Sequence, residues 1–568
     1  MLDDRRSAHD DSQAGPSPGK RLIRMIGAEL RMISSEVFDR VRSSLRRFSN
    51  DRDLLVWVLA LAIGCSVAYA ALGFRMLLGI TQWLWLGTAS EETMLAAARA
   101  APWYALLLAP IVGGLIVGFL LERFVPTRRA HGVADVIEAR ALKDCKIDPN
   151  VGIWSAFISA ISLGFGASAG REGPVVHLGA AIASFIEDRF KLDASARRTL
   201  LACGVGAAVS ASFNAPIAGV LFAHEVILAH YALRAFVPIV IASVAGAVLV
   251  RLHLGNFPAF MIPTHDIASF FEFPAFVLLG LTCAVVAILF QLSLTASEKV
   301  ASRIDIPLWL RPAIGGVALG VTAMFLPEIL GVGYGATDLA LQQMLPLWLM
   351  LTLIVAKTAA TAITLASRFG GGIFSPSLYL GAMTGGAFGL IASSAFPDLA
   401  SSQGLYALLG MGAVAGAVLG APISTTMIVF ELTGGYEMTI ALLLTVSIAH
   451  GATQAVLGTS WFHWQLMRRG LSVQDGPHKE IMRHMTVAKF MVPLADGEQP
   501  PVPTREMPVL QASETLEDAL RAFDASGSNR IPVVSSLDGT RVIGWAHRVA
   551  ALSALNRELI ARSEEEHR

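Results

Sequence analysis

The sequence predicts a polytopic α-helical membrane protein built from two related halves, with a small α/β domain after the last span. Three observations predict it. Of the 568 residues, 54% are apolar and only 15% charged, a balance too greasy for a soluble globule of this length. Residues 273–297 carry no charge and are long enough to cross a bilayer, and the apolar runs 54–74, 102–121, 235–250 and 345–356 approach or meet that length. The third observation is a self-similarity. GVGAAVSASFNAPIAGVLFAHEV (204–226) aligns without a gap on GMGAVAGAVLGAPISTTMIVFEL (410–432), and Pro174, Leu178, Gly179 and Ala180 recur as Pro376, Leu380, Gly381 and Ala382.

The flanks follow from charge. Lys20, Arg21, Arg24, Arg31, Arg40, Arg42, Arg46, Arg47 and Arg52 crowd the segment before the first span, which predicts a cytoplasmic N-terminus, and Arg468 and Arg469 predict the same for the C-terminus. Segment 1–52 is read as this basic cytoplasmic region, with 1–19 too polar to pack. No apolar h-region follows the first methionine, so no cleavable signal is expected. Net charge is zero, which says nothing of nucleic acid or acidic partners, and none is expected. Cys65, Cys145, Cys203 and Cys283 are scattered without metal-ligand or disulfide spacing and read as packing residues.

Glycine- and proline-broken segments in two repeated halves point to a transporter-type site at the repeat interface, near mid-membrane. In GREGP (170–174) and GGGIFSP (370–376), glycines precede a proline suited to a first helical turn, and an apolar helix follows. Each is a helix start inside the membrane. Its first peptide N–H groups lack intrahelical partners and carry the positive end of the macrodipole, which attracts anions. Two such ends would hold a small anion by partial charges, without a full cation to trap it. Glu172, among them, can occupy the anion's place when ionised and vacate it when protonated. The blander reading makes it a helix-capping carboxylate. Arg171 reads first as a buried cation paired with an acid or with carbonyls.

At these residues the chain resembles the CLC family of chloride channels and proton-coupled chloride transporters. The resemblance rests on GREGP at 170–174, GGIFSP at 371–376, FNAPIAG at 213–219 and ELTGGY at 431–436, in the family's order, and spans about residues 53–470. It implies a homodimer in the lipid bilayer with a pore in each subunit, inverted halves and helices of unequal length. It also implies a bacterial-type inner or plasma membrane location. By the resemblance Glu172 is the gating and proton-accepting glutamate, and the amides of Ile373 and Phe374 hold the anion. Gly170, Arg171 and Gly173 belong to the same anion-binding set.

Three departures matter. The family's third loop, normally GSGIP, stands here as AHGVA (130–134), so His131 takes the place of an anion-coordinating serine beside Gly132. Two readings stay open: the imidazole donates to the anion, or it packs at the inner mouth and only the backbone acts. Ala134 replaces the loop's proline and weakens its helix-start signature. Alignment through FAHEVI (222–227) puts Glu225 at the preceding family glutamate and Val226 at the proton-relay position, and valine carries no proton. Alignment through SWFHWQL (460–466) puts Phe462 where the family has a tyrosine, and Phe462 cannot hydrogen-bond chloride. The expectation is therefore channel-like or weakly proton-coupled chloride transport gated by Glu172. The alternative is an H+/Cl- exchanger with another inner proton route through Glu225, His224 or His177.

The transmembrane domain is read as 53–466, a linker as 467–510 and a soluble domain as 511–568. ETLEDALRAF (514–523) has helical spacing, and RIPVV (530–534) and RVIGW (541–545) read as strands around the turn LDG. This resembles a single cystathionine-β-synthase-type (CBS) motif. His547 and Ala550 stand where nucleotide-binding copies carry a hydroxyl residue and an aspartate, which weighs against a bound nucleotide and favours dimer contact or gating linkage. No other cofactor and no metal is expected. An enzyme would need an acid, base or nucleophile constellation, and His177, His224, Glu172 and Glu225 lack the HExxH spacing of a metal site.

Overall fold

The computed structural model describes residues 53–255, 269–433, 436–471, 485–494, 507–535 and 541–567, with 38, 267, 481 and 482. The basic residues between 20 and 52, the polar stretch 1–19, Gly434 and Gly435 of ELTGGY, the turn LDG and parts of the 467–510 linker lie outside the described residues. Among those described, seven helices are long and apolar enough to cross a membrane: Asp53–Leu86, Trp103–Phe124, Leu233–Leu254, Phe270–Arg303, Leu347–Ala366, Phe374–Ala395 and Met438–Arg468. The five charge-free runs of the sequence account for the first five. The last two are interrupted by serine, threonine and glycine, and a run of apolar letters does not reveal them. Between them lie shorter apolar helices, including Gln403–Leu419 and Arg311–Phe325, so helix lengths are very unequal.

The repeat is structural. Helices Pro149–Gly164, Glu172–Glu187, Ala194–Phe213, Pro216–Phe222 and Leu233–Leu254 of the first half correspond in order to Leu347–Ala366, Phe374–Ala395, Gln403–Leu419, Pro422–Thr433 and Tyr436–Leu457 of the second. The same close crossing occurs in both. A side chain on Gly179 would overlap the Gly204 carbonyl, and one on Gly381 would overlap the Gly410 carbonyl, so glycine is needed where these backbones touch. The helices before the two proline starts end alike, in left-handed residues, Asn214 (φ 59) and Gly420 (φ 71).

Each half also completes the other. The carboxylate of Glu225 accepts from Ile423 N (3.0 Å) and Ser424 N (2.8 Å) and from the Ser424 hydroxyl. Its repeat counterpart Glu431 accepts from Ile217 N (2.9 Å) and Ala218 N (2.7 Å). Each glutamate thus caps the proline-started helix of the opposite half and supplies acceptors for N–H groups with no intrahelical partner. Glu225→Ala and Glu431→Ala are each expected to cost about 1–2 kcal/mol by analogy with lost N-caps. Thermal unfolding of the purified variants checks this; a cost confined to one of the two would contradict reciprocal capping.

The tail forms a four-stranded sheet of order β1-β4-β3-β2, with β1 Val492–Pro493, β2 Leu510–Gln511, β3 Arg530–Val534 and β4 Val542–His547. β2 and β3 run parallel; β3–β4 and β1–β4 are antiparallel. Helix Leu516–Ser526, capped by Thr515, packs Leu516, Ala519 and Phe523 onto Ile531, Val533 and Ala546. This small α/β unit is compatible with a CBS-like domain. The second strand runs two residues past RVIGW because Ala546 still faces the core.

Candidate anion pathway

The two glycine loops meet. Gly170 N donates to Gly372 O and Gly372 N to Gly170 O, both at 2.7 Å, a two-residue antiparallel bridge between the halves. Helices Glu172–Glu187 and Phe374–Ala395 start immediately beyond it, with Arg171 and Ile373 at the capping positions. Their free N–H groups are therefore brought to one place, as the sequence predicts.

Glu172 lies between them, 1% exposed. Its Oε1 accepts from Ser375 Oγ at 2.5 Å, on the first turn of the other half's helix, and from the Tyr334 hydroxyl at 3.4 Å. Its Oε2 has no hydrogen-bond partner. A Cβ on Gly170 would stand 2.7 Å from that Oε2 and 3.0 Å from Ser375 N, so the carboxylate fills the ground at the helix ends where an anion would be held. Burying an ionised group this deeply is costly unless donors surround it. Protonation relieves the cost and frees the space.

Below Glu172 lies a cavity of about 410 Å³. Gly173, Ile373, Phe374, His131, Gly132 and Phe462 line it together with Glu172, so the predicted site residues come together on one wall or another. Phe374 packs against Phe213 and Phe222, ring centroids 4.9 Å and 6.0 Å apart. Gly170 lies at the loop bridge. Arg171 stands apart by its side chain: it pairs with Glu91, donates to Ser212 O at 3.0 Å and lies over the Tyr334 ring. Its charge is thereby committed to Glu91.

The third loop is held by a residue the sequence reading left out. Asp135 accepts from Gly132 N (2.9 Å), from Arg129, and from Arg469 (2.8 Å). This replaces the rigidity of the absent proline, and helix Val133–Leu142 starts without it. His131 bonds through Nε2 with Thr127 Oγ1 (2.7 Å), and its Nδ1 is 3.5 Å from Asp135 Oδ1. Arg129, Arg368 and Arg469 also line the cavity, as do Asp135 and Glu298, and Arg129 and Arg469 are paired with Asp135. The letters gave a signal for these: each arginine sits within a few residues of a site loop or the final helix.

Val226 lies in a π-helical turn, Ala223–Leu228, buried and away from the cavity-lining set, which its neighbour Phe222 joins. Glu225 is occupied in capping Ile423 and Ser424. His224 bonds with His230 O at 3.1 Å and stacks on Tyr231. None of the three proton-route candidates is among the cavity-lining residues; the His177 ring is 5.1 Å from that of His131, which is.

Contrary to the expectation that no GxSxG is present, Gly166-Ala-Ser168-Ala-Gly170 has that spacing of a hydrolase nucleophile. Here it joins two helices rather than a strand and a helix, and Ser168 Oγ is buried with no hydrogen-bond partner. Without an adjacent base it is not an activated nucleophile. Among the described residues, no cluster of three or more His, Cys, Asp or Glu side chains could hold a metal.

Two inverted halves with broken helices meeting at a buried, cavity-lined interface define a membrane transport protein whose site lies between the repeats. The comparisons give the family. The family described as "Voltage gated chloride channel" matches residues 113–454, and the chain belongs to it. A ClcB-like chloride channel protein of Ralstonia nicotianae is 32% identical over 394 residues, covering 68% of this chain and 91% of that protein. An H(+)/Cl(-) exchange transporter, ClcA, of Cronobacter sakazakii is 30% identical over 439 residues, covering 74% and 91%. The fold is shared with a slow cyanobacterial Cl-/H+ antiporter, at a TM-score of 0.64 and 22% identity over 74% of this chain and 99% of that one. The chain is an integral membrane protein of the CLC family.

Proposed function

We propose that the chain conducts chloride or a similar small anion through a pore in each subunit of a homodimer, with Glu172 as the gate. The observation that carries this is the Glu172 carboxylate hydrogen-bonded to Ser375 across the repeat interface, above a cavity lined by Ile373 and Phe374. The negative carboxylate and a permeant anion compete for the same helix ends. Because Val226 carries no proton, transport is channel-like or only weakly proton-coupled. The role is transport, and no catalysis or cofactor is invoked. Both termini lie on the cytoplasmic side of a bacterial-type inner membrane. Segment 511–568 serves dimer contact or gating linkage.

A second reading, H+/Cl- exchange by another inner route, is favoured by the contact of His131 with His177 and by likeness to an exchanger. Purified protein in liposomes separates the two. Chloride efflux without uphill proton movement is expected from the natural chain, and Val226→Glu is expected to raise the proton-to-chloride ratio. Stoichiometric proton pumping by the natural chain would reject the channel-like reading. Passage of fluoride or nitrate without chloride would reject chloride.

A further inference from the structure

Val226 removes a side-chain proton carrier from the inner half of the pathway, yet a buried carboxylate that opens by protonation needs protons from somewhere. His131 and His177 are placed to bring them from the cavity side. We propose that these two imidazoles form a proton-loading pair that delivers protons from the inner cavity to Glu172; this rests on the reading of Glu172 as the gate.

The geometry carries the argument. His131 lines the cavity, its side chain 12% exposed, and its ring is 5.1 Å from that of His177 at an interplanar angle of 44°. His177 is 1% exposed, and its Nδ1 has no hydrogen-bond partner. A buried, unpartnered imidazole nitrogen near a cavity with polar lining can take and release a proton. His177 sits one helical turn beyond Gly173, and both Gly173 and its neighbour Val176 line the cavity that Glu172 faces. Water in a polar cavity of this size covers the remaining step.

The charges around the pair suit a shuttle rather than a fixed cation. Burial is the largest influence on His131 and holds it neutral, pushing its pKa down to about 4; Asp135 opposes this, Arg129, Arg469 and Lys143 add to it, and Asp135, Arg129 and Lys143 face His177 as well. Asp135, 3.5 Å from His131 Nδ1, is shared with Arg129 and Arg469, and Lys143 is bound to Glu138. The proton balance closes. A neutral imidazole accepts a proton on one nitrogen and releases one from the other, so each proton taken at His131 leaves His177 for the Glu172 carboxylate and both rings return to neutral.

The test measures anion current in planar bilayers while pH is stepped on one face at a time. In the natural chain, acidifying the face that opens to the cavity from about pH 6 to about pH 4, the region in which burial places the His131 titration, is expected to raise current at least about tenfold, the change in protonated fraction per pH unit above a titration midpoint. His177→Gln is expected to reduce that response to less than about twofold, by the same titration argument, and to leave the response to the opposite face intact. The double variant Glu172→Ala/His177→Gln, which needs no gate protonation, should conduct as Glu172→Ala does; this shows that the substitution spares folding and pore. A full inner-face response in His177→Gln, with Glu172→Ala insensitive to pH, would overturn the histidine pair alone. A full inner-face response in Glu172→Ala would overturn the gate reading as well.

Discussion

Glu172→Ala is expected to make anion flux insensitive to pH, whereas flux through the natural chain falls about tenfold per pH unit once pH rises above the titration of this carboxylate. The sign follows from the site. Ionised Glu172 rests against Ser375 on the first turn of the opposing helix, and an anion must displace it. Protonation removes the charge that the helix dipole favours and lets the side chain leave, so acid opens the path. Alanine has no carboxylate to remove, and its flux should equal or exceed the natural chain's acid value at every pH. Glu172→Gln, isosteric with the protonated form, should behave nearly as alanine does. Flux measured in liposomes across pH decides it: a Glu172→Ala protein that still closes on alkalinisation would show that the carboxylate only caps its helix.

The second large effect is on stability. Arg171→Met is expected to cost about 3–5 kcal/mol, the penalty for leaving one member of a buried ion pair without its partner. Glu91 and Arg171 are 7% and 6% exposed, and the other Glu91 oxygen, Oε1, has no hydrogen-bond partner, so the loss has nowhere to be absorbed. The double variant Arg171→Met/Glu91→Leu should recover most of it, because replacing both charges by apolar groups of similar volume removes the desolvation penalty with the attraction. Thermal unfolding in detergent measures both. A double variant as unstable as the single would mean that the Arg171 bond to Ser212 O and its packing on Tyr334, rather than the ion pair, hold this corner.

Much of this was legible in the letters. Repeats and charge-free runs gave the class of fold, because bilayer thickness and backbone satisfaction leave few alternatives. Glu172 was legible as a carboxylate at a helix start that glycine and proline mark inside the membrane, and Ile373 and Phe374 through the family resemblance. The ion pair of Arg171 was only half legible: an unmatched buried cation demands a partner, but Glu91 lies 80 residues away, and no local spacing points to it. Tyr334 and Ser375 were hidden for a similar reason, since a hydroxyl has no periodicity. Asp135 was missed because it compensates for a substitution: Ala134 spoke against a helix start that a carboxylate three residues past Gly132 restores. The reciprocal caps needed coordinates. The alignment placed Glu225 opposite Glu431, but only the fold shows each at the other half's helix, where Glu225 accepts from Ile423 N and Ser424 N.

The pair of hydrogen bonds between Gly170 and Gly372 has a kinetic consequence. Backbone bonds lock the two loops at the point where many two-half carriers must part in order to alternate their access, so the site cannot be emptied by rocking one half against the other without breaking them. What remains free to move is one side chain. Collective rocking takes microseconds to milliseconds, and rotamer motion is orders of magnitude faster. With Glu172 as the proposed gate, the upper limit on ion turnover would be set by how often that carboxyl group is protonated and swings aside.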